Sequence, residues 1–220
     1  MAGGKGKIIE FFGPGVQTLN ATAMATVCNM SAEVGSTSCI FPFTDASARY
    51  LSATGRTQIA EAARNNGNLI MADEGSEQYY DDLIEIDLDT LEPHINGPFT
   101  PDLSHPLSEF RSRVKQSSWP QNISQAMIGS CTNSSYEDLT KVVNIVREAR
   151  TAGLEPKVSV LVTAGCEKIQ ATVSQEGILD ELEAAGAIVL STSCGPCVGQ
   201  WNREGAKLVC SLPQVGVGSN

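Results

Sequence analysis

The first 90 residues carry apolar positions at both strand-like and helix-like spacing, which predicts a small mixed lobe. Asn20 or Thr22 fits the N-cap of the first helix, and Gly35 fits its end. Gly55 weakens the middle of the second helix, because glycine is a poor helix former. The predicted elements are a strand over 7–11, a helix over about 19–34, a helix over 50–64 and an alternating strand over 83–88.

The pattern after residue 122 is more regular, with apolar strands and helices in alternation. Strand, helix, strand, helix, strand is the order typical of a parallel sheet with crossover helices. Five prolines in residues 92–122 cannot belong to helix interiors and predict a wrapping connection, so a boundary between two lobes is expected near residue 90. The predicted elements are strands over 126–129, 158–163 and 187–190, and helices over 136–152 and 169–185.

Composition narrows the classes of protein that this chain can represent. Its 220 residues carry a net charge of −10, which argues against a protein held to nucleic acid by phosphate contacts. No apolar run approaches the roughly 20 residues of a spanning helix, so no membrane partner is expected. The Gly- and Lys-rich start predicts no secretory signal, and seven cysteines then favour reduced thiols over a disulfide framework.

Three cysteines follow predicted strands and form the candidate chemical site. Cys131 follows the strand at 126–129, and Cys194 and Cys197 follow the strand at 187–190. Because ligands bind beyond the carboxyl ends of parallel strands, these thiols are expected at one edge of one sheet. Three thiolates suit an iron–sulfur cluster or zinc, whereas free thiols or a Cys194–Cys197 redox pair are the alternatives. Cys166 follows the middle strand and is the one rival ligand.

The other conspicuous side chains are expected to be structural. The remaining thiols are predicted to be buried or incidental, and the two histidines and two tryptophans to serve packing. These residues are Cys28, Cys39, Cys210, His94, His105, Trp119 and Trp201.

Four segments, in order along the chain, resemble the mitochondrial type of the aconitase family. They are 24–30 (MATVCNM), 93–102 (PHINGPFTPD), 129–138 (GSCTNSSYED) and 194–201 (CGPCVGQW), and the resemblance covers residues 7 to about 203. It implies an α/β fold of aconitase-like three-layer α/β/α lobes with mainly parallel sheets. It also implies that residues 1–90 are part of the family's second domain and that 91–220 are its third, cluster-binding domain.

The resemblance further implies a hydro-lyase that interconverts citrate, cis-aconitate and isocitrate in the mitochondrial matrix. Cys131, Cys194 and Cys197 would hold a [4Fe–4S] cluster whose open iron acts as a Lewis acid on the substrate hydroxyl. Asn29 and Glu33 match the family's active-site Asn and Glu. Glu33 would contact iron-bound water or hydroxyl, and Asn29 would hydrogen-bond near the cluster. Their i, i+4 spacing would put both on one helix face.

The family's catalytic serine and substrate-binding arginines have no counterpart in these residues, and 207–220 does not resemble the family. The chain is therefore expected to be a fragment that is inactive without the missing domains, with a C-terminally truncated third domain. A homoaconitase or isopropylmalate isomerase remains an alternative, as does a non-catalytic iron–sulfur module.

Overall fold

A computed structural model describes residues 3–69, 71–98, 100, 102–199 and 217–219. The chain divides into two compact units, Met1–Leu91 and Glu92–Asn220. That these units correspond to the second and third domains of a larger enzyme remains a prediction.

The first unit pairs two short parallel strands and surrounds them with short helices. The strands pair with Ile9 opposite Cys39. Asn20 caps the first helix, as predicted, by accepting a hydrogen bond from the Ala23 backbone N–H at 2.7 Å. The prediction that this helix runs to Gly35 was wrong, because it ends at Met30 and Gly35 ends the following 3-10 turn in the left-handed conformation. The elements are β1 (Ile8–Glu10), α1 (Ala21–Met30), β2 (Ser38–Ile40), α2 (Asp45–Ala53), α3 (Thr57–Asn65) and 3-10 turns at Pro14–Thr18, Ser31–Val34, Gly67–Leu69 and Ser76–Tyr79.

Two further predictions for this unit were wrong. The helix expected over 50–64 is two helices, α2 and α3, because Gly55 adopts a φ of +77° between them. The strand expected over 83–88 is irregular, and Ile84 is 81% exposed. A segment of alternating apolar and polar residues forms a strand only when a neighbouring strand pairs with it. Among the described residues, no strand pairs with residues 83–88.

A small core holds the first unit together. Val16, Met24 and Ala46 are buried, and Phe11 stacks on Phe41 with ring centroids 4.4 Å apart. Phe11 directly follows β1 and Phe41 directly follows β2, so the two rings stack at the end of the strand pair.

The second unit is built on a four-stranded sheet whose strands lie in the order β7 (Ala187–Leu190), β6 (Ser159–Thr163), β5 (Ile123–Ile128) and β8 (Val217–Ser219). The pairs β5–β6 and β6–β7 are parallel, whereas β8 is antiparallel to β5. The α/β class with mainly parallel sheets is therefore confirmed. The elements are β3 (His94–Asn96), β4 (Ser104–Pro106), α4 (Leu107–Gln116), β5 (Ile123–Ile128), α5 (Tyr136–Thr151), β6 (Ser159–Thr163), α6 (Glu167–Gln175), α7 (Ile178–Ala184), β7 (Ala187–Leu190) and β8 (Val217–Ser219).

Two corrections apply to the second unit. The proline-rich connection contains the antiparallel pair β3–β4 and the helix α4, with Pro106 at the N-cap, where its missing N–H is not needed. The helix expected over 169–185 is two helices, because Gly177 adopts a φ of +75° between α6 and α7.

Helices α5, α6 and α7 cover the sheet through an apolar core. Leu139, Val143 and Leu182 from the helices are buried with Val162 from β6. Trp119 serves packing as predicted, because it contacts the rings of His105 and Phe110. Among the described residues, no helix combines the length and apolar character needed to cross a membrane.

Candidate functional site

The loop that carries Cys131 leaves the end of β5 and turns sharply against the end of β6. Gly129 adopts a φ of +84°, and a Cβ there would lie 2.1 Å from the Thr163 carbonyl oxygen. Only glycine allows this approach, because any side chain would collide with the neighbouring strand. The loop is therefore fixed against β6 two residues before the thiol.

Buried hydroxyl groups hold the rest of this loop. The Ser134 hydroxyl donates to the Ser130 carbonyl, and the Gly165 backbone N–H donates to the Ser134 carbonyl at 3.0 Å. Ser130 and Ser134 are both buried, whereas Cys131 is exposed. The loop thus satisfies its polar groups internally and leaves the Cys131 thiol accessible to a ligand.

The helix that follows starts immediately after the loop. Ser135 caps α5 by accepting from the Asp138 backbone N–H at 3.2 Å, and Asp138 accepts in return from the Ser135 backbone N–H at 3.1 Å. This capping box fixes where the loop ends. Residues 129–135 therefore form a short segment anchored by a tight glycine at one end and a helix cap at the other.

The second thiol-bearing loop follows β7. Cys194 is exposed and Cys197 is half-buried in a 3-10 turn at Pro196–Val198. The Val198 backbone N–H donates to the Gly195 carbonyl at 3.1 Å, which closes this turn. Gln200, Trp201, Cys210 and the tail 207–216 lie outside the described residues, so the predictions for them remain untested.

The sheet brings the predicted ligands to one edge but does not bring them together. Strands β5, β6 and β7 are parallel, so their carboxyl ends share an edge. Cys166 stands at the N-cap position of the helix after the middle strand, without a side-chain capping hydrogen bond. Strands β5 and β7 are two strand spacings apart, about 10 Å. Within the described part of the chain, no three His, Cys, Asp or Glu side chains lie close enough to hold a metal ion. The three thiols are soft donors at one edge of the sheet, and in the described residues they do not surround a single metal ion.

Asn29 and Glu33 lie in the first unit, and both are exposed. They do not lie on one α-helix, contrary to the prediction, because α1 ends at Met30 and Glu33 belongs to the 3-10 turn that follows. A 3-10 turn advances about 120° per residue instead of 100°, so the i, i+4 alignment does not carry across this boundary. Their catalytic roles remain predictions.

Sequence reasoning missed a contact between two thiols in the first unit. The sulfur atoms of Cys28 and Cys39 lie 3.1 Å apart, and both residues are half-buried. The sequence gives no signal for this contact, because β2, which carries Cys39, was not predicted.

Comparisons with known proteins agree on one family. The family model described as aconitase family (aconitate hydratase) matches residues 1–213. "Homocitrate dehydratase, mitochondrial" from Saccharomyces cerevisiae is 52% identical over 205 residues, which are 92% of this chain and 26% of that protein. "Aconitate hydratase, mitochondrial" from Schizosaccharomyces pombe is 50% identical over 205 residues, which are 93% of this chain and 26% of that protein. The chain thus spans about a quarter of the length of these curated relatives.

Proposed function

This chain belongs to the aconitase family, and we propose that it is the cluster-bearing part of an aconitate hydratase that interconverts citrate and isocitrate through cis-aconitate. The observation that carries the proposal is the placement of thiol-bearing loops after parallel strands of one sheet, in a chain that the family model matches over residues 1–213. The names of the relatives support a mitochondrial location.

We propose that Cys131, Cys194 and Cys197 hold a [4Fe–4S] cluster. When bound, the cluster would supply a Lewis acid that polarises a substrate hydroxyl and makes hydroxide a better leaving group. Three protein thiolates are a donor set of the soft type that such clusters require. Cys131 and Cys194 are exposed and accessible from solvent, and Cys197 is half-buried.

The chain's own contribution at this edge is to position the first thiol. Gly129 lets the loop pass against the Thr163 carbonyl, and Ser134 ties the loop to Ser130 and Gly165. A ligand held by a rigid loop loses less conformational entropy on binding than one on a mobile loop. For Asn29 and Glu33 in the first unit, the proposal rests on the family resemblance alone: Asn29 would hydrogen-bond near the cluster, and Glu33 would contact iron-bound water or hydroxyl.

Cluster loading tests the ligand set. The chain is incubated anaerobically with iron and sulfide, and its iron content and visible absorbance are measured. Cys131→Ser, Cys194→Ser and Cys197→Ser are each expected to abolish loading, because a hydroxyl is a hard ligand that replaces a soft one. Cys166→Ser is the matched control, since it removes a thiol from the same edge and should retain the cluster.

Two results would contradict the ligand assignment. One is a Cys166→Ser variant that loses the cluster while Cys131→Ser keeps it. The other is a stable, colourless protein that binds zinc but no iron.

A second candidate substrate is homocitrate or its dehydration product. It is favoured by the relative named homocitrate dehydratase, at 52% identity. The loaded protein is assayed with citrate and with homocitrate, for turnover and for a change in the electron paramagnetic resonance spectrum of the reduced cluster. A response to citrate supports the first proposal, and a response to homocitrate alone supports the second. No turnover is expected from this chain without the missing domains, so the spectrum decides: a loaded cluster whose spectrum responds to neither substrate indicates that this chain by itself only binds the cluster.

A further inference from the structure

The thiols of Cys28 and Cys39 are in direct contact within the first unit. Cys28 lies in the last turn of α1, Cys39 lies in the middle of β2, and the Cys39 thiol donates to the Cys28 sulfur at 3.1 Å. A disulfide has a sulfur–sulfur distance of about 2.05 Å, so the two atoms need to approach by about 1 Å to bond.

Hydrogen bonds fix the short segment between the two cysteines. The Ser31 hydroxyl donates to the Cys28 carbonyl at 2.7 Å, and the Ser36 hydroxyl donates to the Ser31 carbonyl at 2.8 Å. The Thr37 backbone N–H then donates to the Lys7 carbonyl at 2.8 Å, next to β1. The two sulfur atoms are therefore held in position before any oxidation, which reduces the entropy cost of joining them.

The environment of Cys28 favours a resting dithiol that remains accessible. Burial, together with the hydrogen bond and the charge interaction with the adjacent Cys39, raises the pKa of the Cys28 thiol to about 11, so Cys28 is protonated at neutral pH. Cys28 also lines a cavity of about 320 Å³, formed with Met24, Phe41 and Phe43. A cavity beside the sulfur gives a small oxidant a place to approach it.

We propose that Cys28 and Cys39 form a reversible disulfide by exchange with a low-molecular-weight disulfide such as oxidised glutathione. One cysteine, as its thiolate, attacks a glutathione sulfur, the glutathione disulfide bond breaks, and one glutathione thiolate leaves and takes up a proton. The second cysteine loses its proton and attacks the protein sulfur of this mixed disulfide, which releases the second glutathione. In total the protein gives up two protons and two electrons, and oxidised glutathione becomes two molecules of the thiol. The proposal is independent of the cluster ligands.

Peptide mapping of the whole chain tests this proposal. The chain is incubated with oxidised glutathione, its remaining thiols are blocked with iodoacetamide, and it is cut with trypsin. No lysine or arginine lies between Lys7 and Arg49, so Cys28 and Cys39 fall on one peptide, 8–49, that contains no other cysteine. We expect this peptide to lose both alkylation sites and to weigh about 2 Da less than the dithiol peptide. Cleavage after Glu33 should leave its two parts joined until dithiothreitol is added.

Single-cysteine variants distinguish disulfide formation between the two thiols from the reaction of one accessible thiol with glutathione. In Cys39→Ser and Cys28→Ser, the remaining thiol has no neighbour to displace glutathione, so a lasting glutathione adduct is expected on peptide 8–49. Wild-type protein should retain no such adduct there. Peptide 169–203, which holds Cys194 and Cys197, is the internal measure that the oxidant is active.

Two results would overturn the proposal. One is a wild-type peptide 8–49 that keeps two alkylated thiols under conditions that oxidise peptide 169–203. The other is a lasting glutathione adduct on wild-type Cys28 or Cys39, which would show that the second thiol does not complete the exchange.

Discussion

Replacing Gly129 by alanine should destabilise the second unit and weaken cluster loading. The left-handed conformation at φ +84° costs a non-glycine residue about 1–2 kcal/mol. The new Cβ would also lie 2.1 Å from the Thr163 carbonyl oxygen and 2.9 Å from the Ser134 Cβ, so the strand end or the loop must move. Such overpacking typically costs about 1–3 kcal/mol. Together these effects lower the free energy of unfolding by about 2–5 kcal/mol.

Gly153→Ala is the matched control for this substitution. Gly153 follows α5 with a φ of +71°, and nothing lies within 4 Å of the position that its Cβ would take. It therefore bears the same conformational penalty, about 1–2 kcal/mol, without the collision. The difference between the two variants measures the steric cost of bringing the Cys131 loop against β6.

Urea unfolding followed by tryptophan fluorescence measures both variants. Trp119 and Trp201 are the chain's two tryptophans, and both belong to the second unit in sequence, so the signal reports on that unit. Iron loading is measured in parallel, and Gly129→Ala should lose more of it than Gly153→Ala. Equal losses of stability in the two variants would refute the account of the loop.

Two further predictions concern the core and the surface of the second unit. Leu139→Ala should lower the free energy of unfolding by about 2–5 kcal/mol, because Leu139 is fully buried, whereas the same change at exposed Leu154 should cost less than about 1 kcal/mol in urea denaturation. Arg147 lowers the pKa of Glu181, so their ion pair should stabilise the fold above the ordinary pKa of 4.5 and lose this effect as pH falls through the lowered value. Urea midpoints at pH 7 and pH 3 should therefore differ more in wild type than in Arg147→Gln; an equal difference would contradict the role of the pair.

The sequence predicted best those elements whose signals are local. The apolar runs that became β5, β6 and β7 and the cap at Asn20 were all recognisable, because strand composition and capping depend on neighbouring residues. The breaks at Gly55 and Gly177 were harder to predict, since glycine within a helical pattern can be tolerated or can end the helix.

For the candidate site, the order of strands predicts which edge of the sheet carries the thiols, but it does not predict the distances between them. Cys131 and Cys194 each come directly after a parallel strand, and this position predicts the edge of the sheet at which they lie. The distance between their loops depends on loop conformations, which residue spacing does not determine. The contact between Cys28 and Cys39 could not be predicted from the sequence for a related reason. It joins a helix to a strand that has only three residues and carries no distinctive pattern.

The order of strands in the second unit has a consequence for how the chain folds during synthesis. Strands β5, β6 and β7 lie side by side in the order in which the ribosome makes them, so each new strand can pair with the one just completed. The anchors of the Cys131 loop, Thr163 and Gly165, are made soon after that loop, well before Cys194 emerges. We therefore expect the Cys131 loop to reach its final conformation on the nascent chain, before the other two proposed cluster ligands are synthesised after β7.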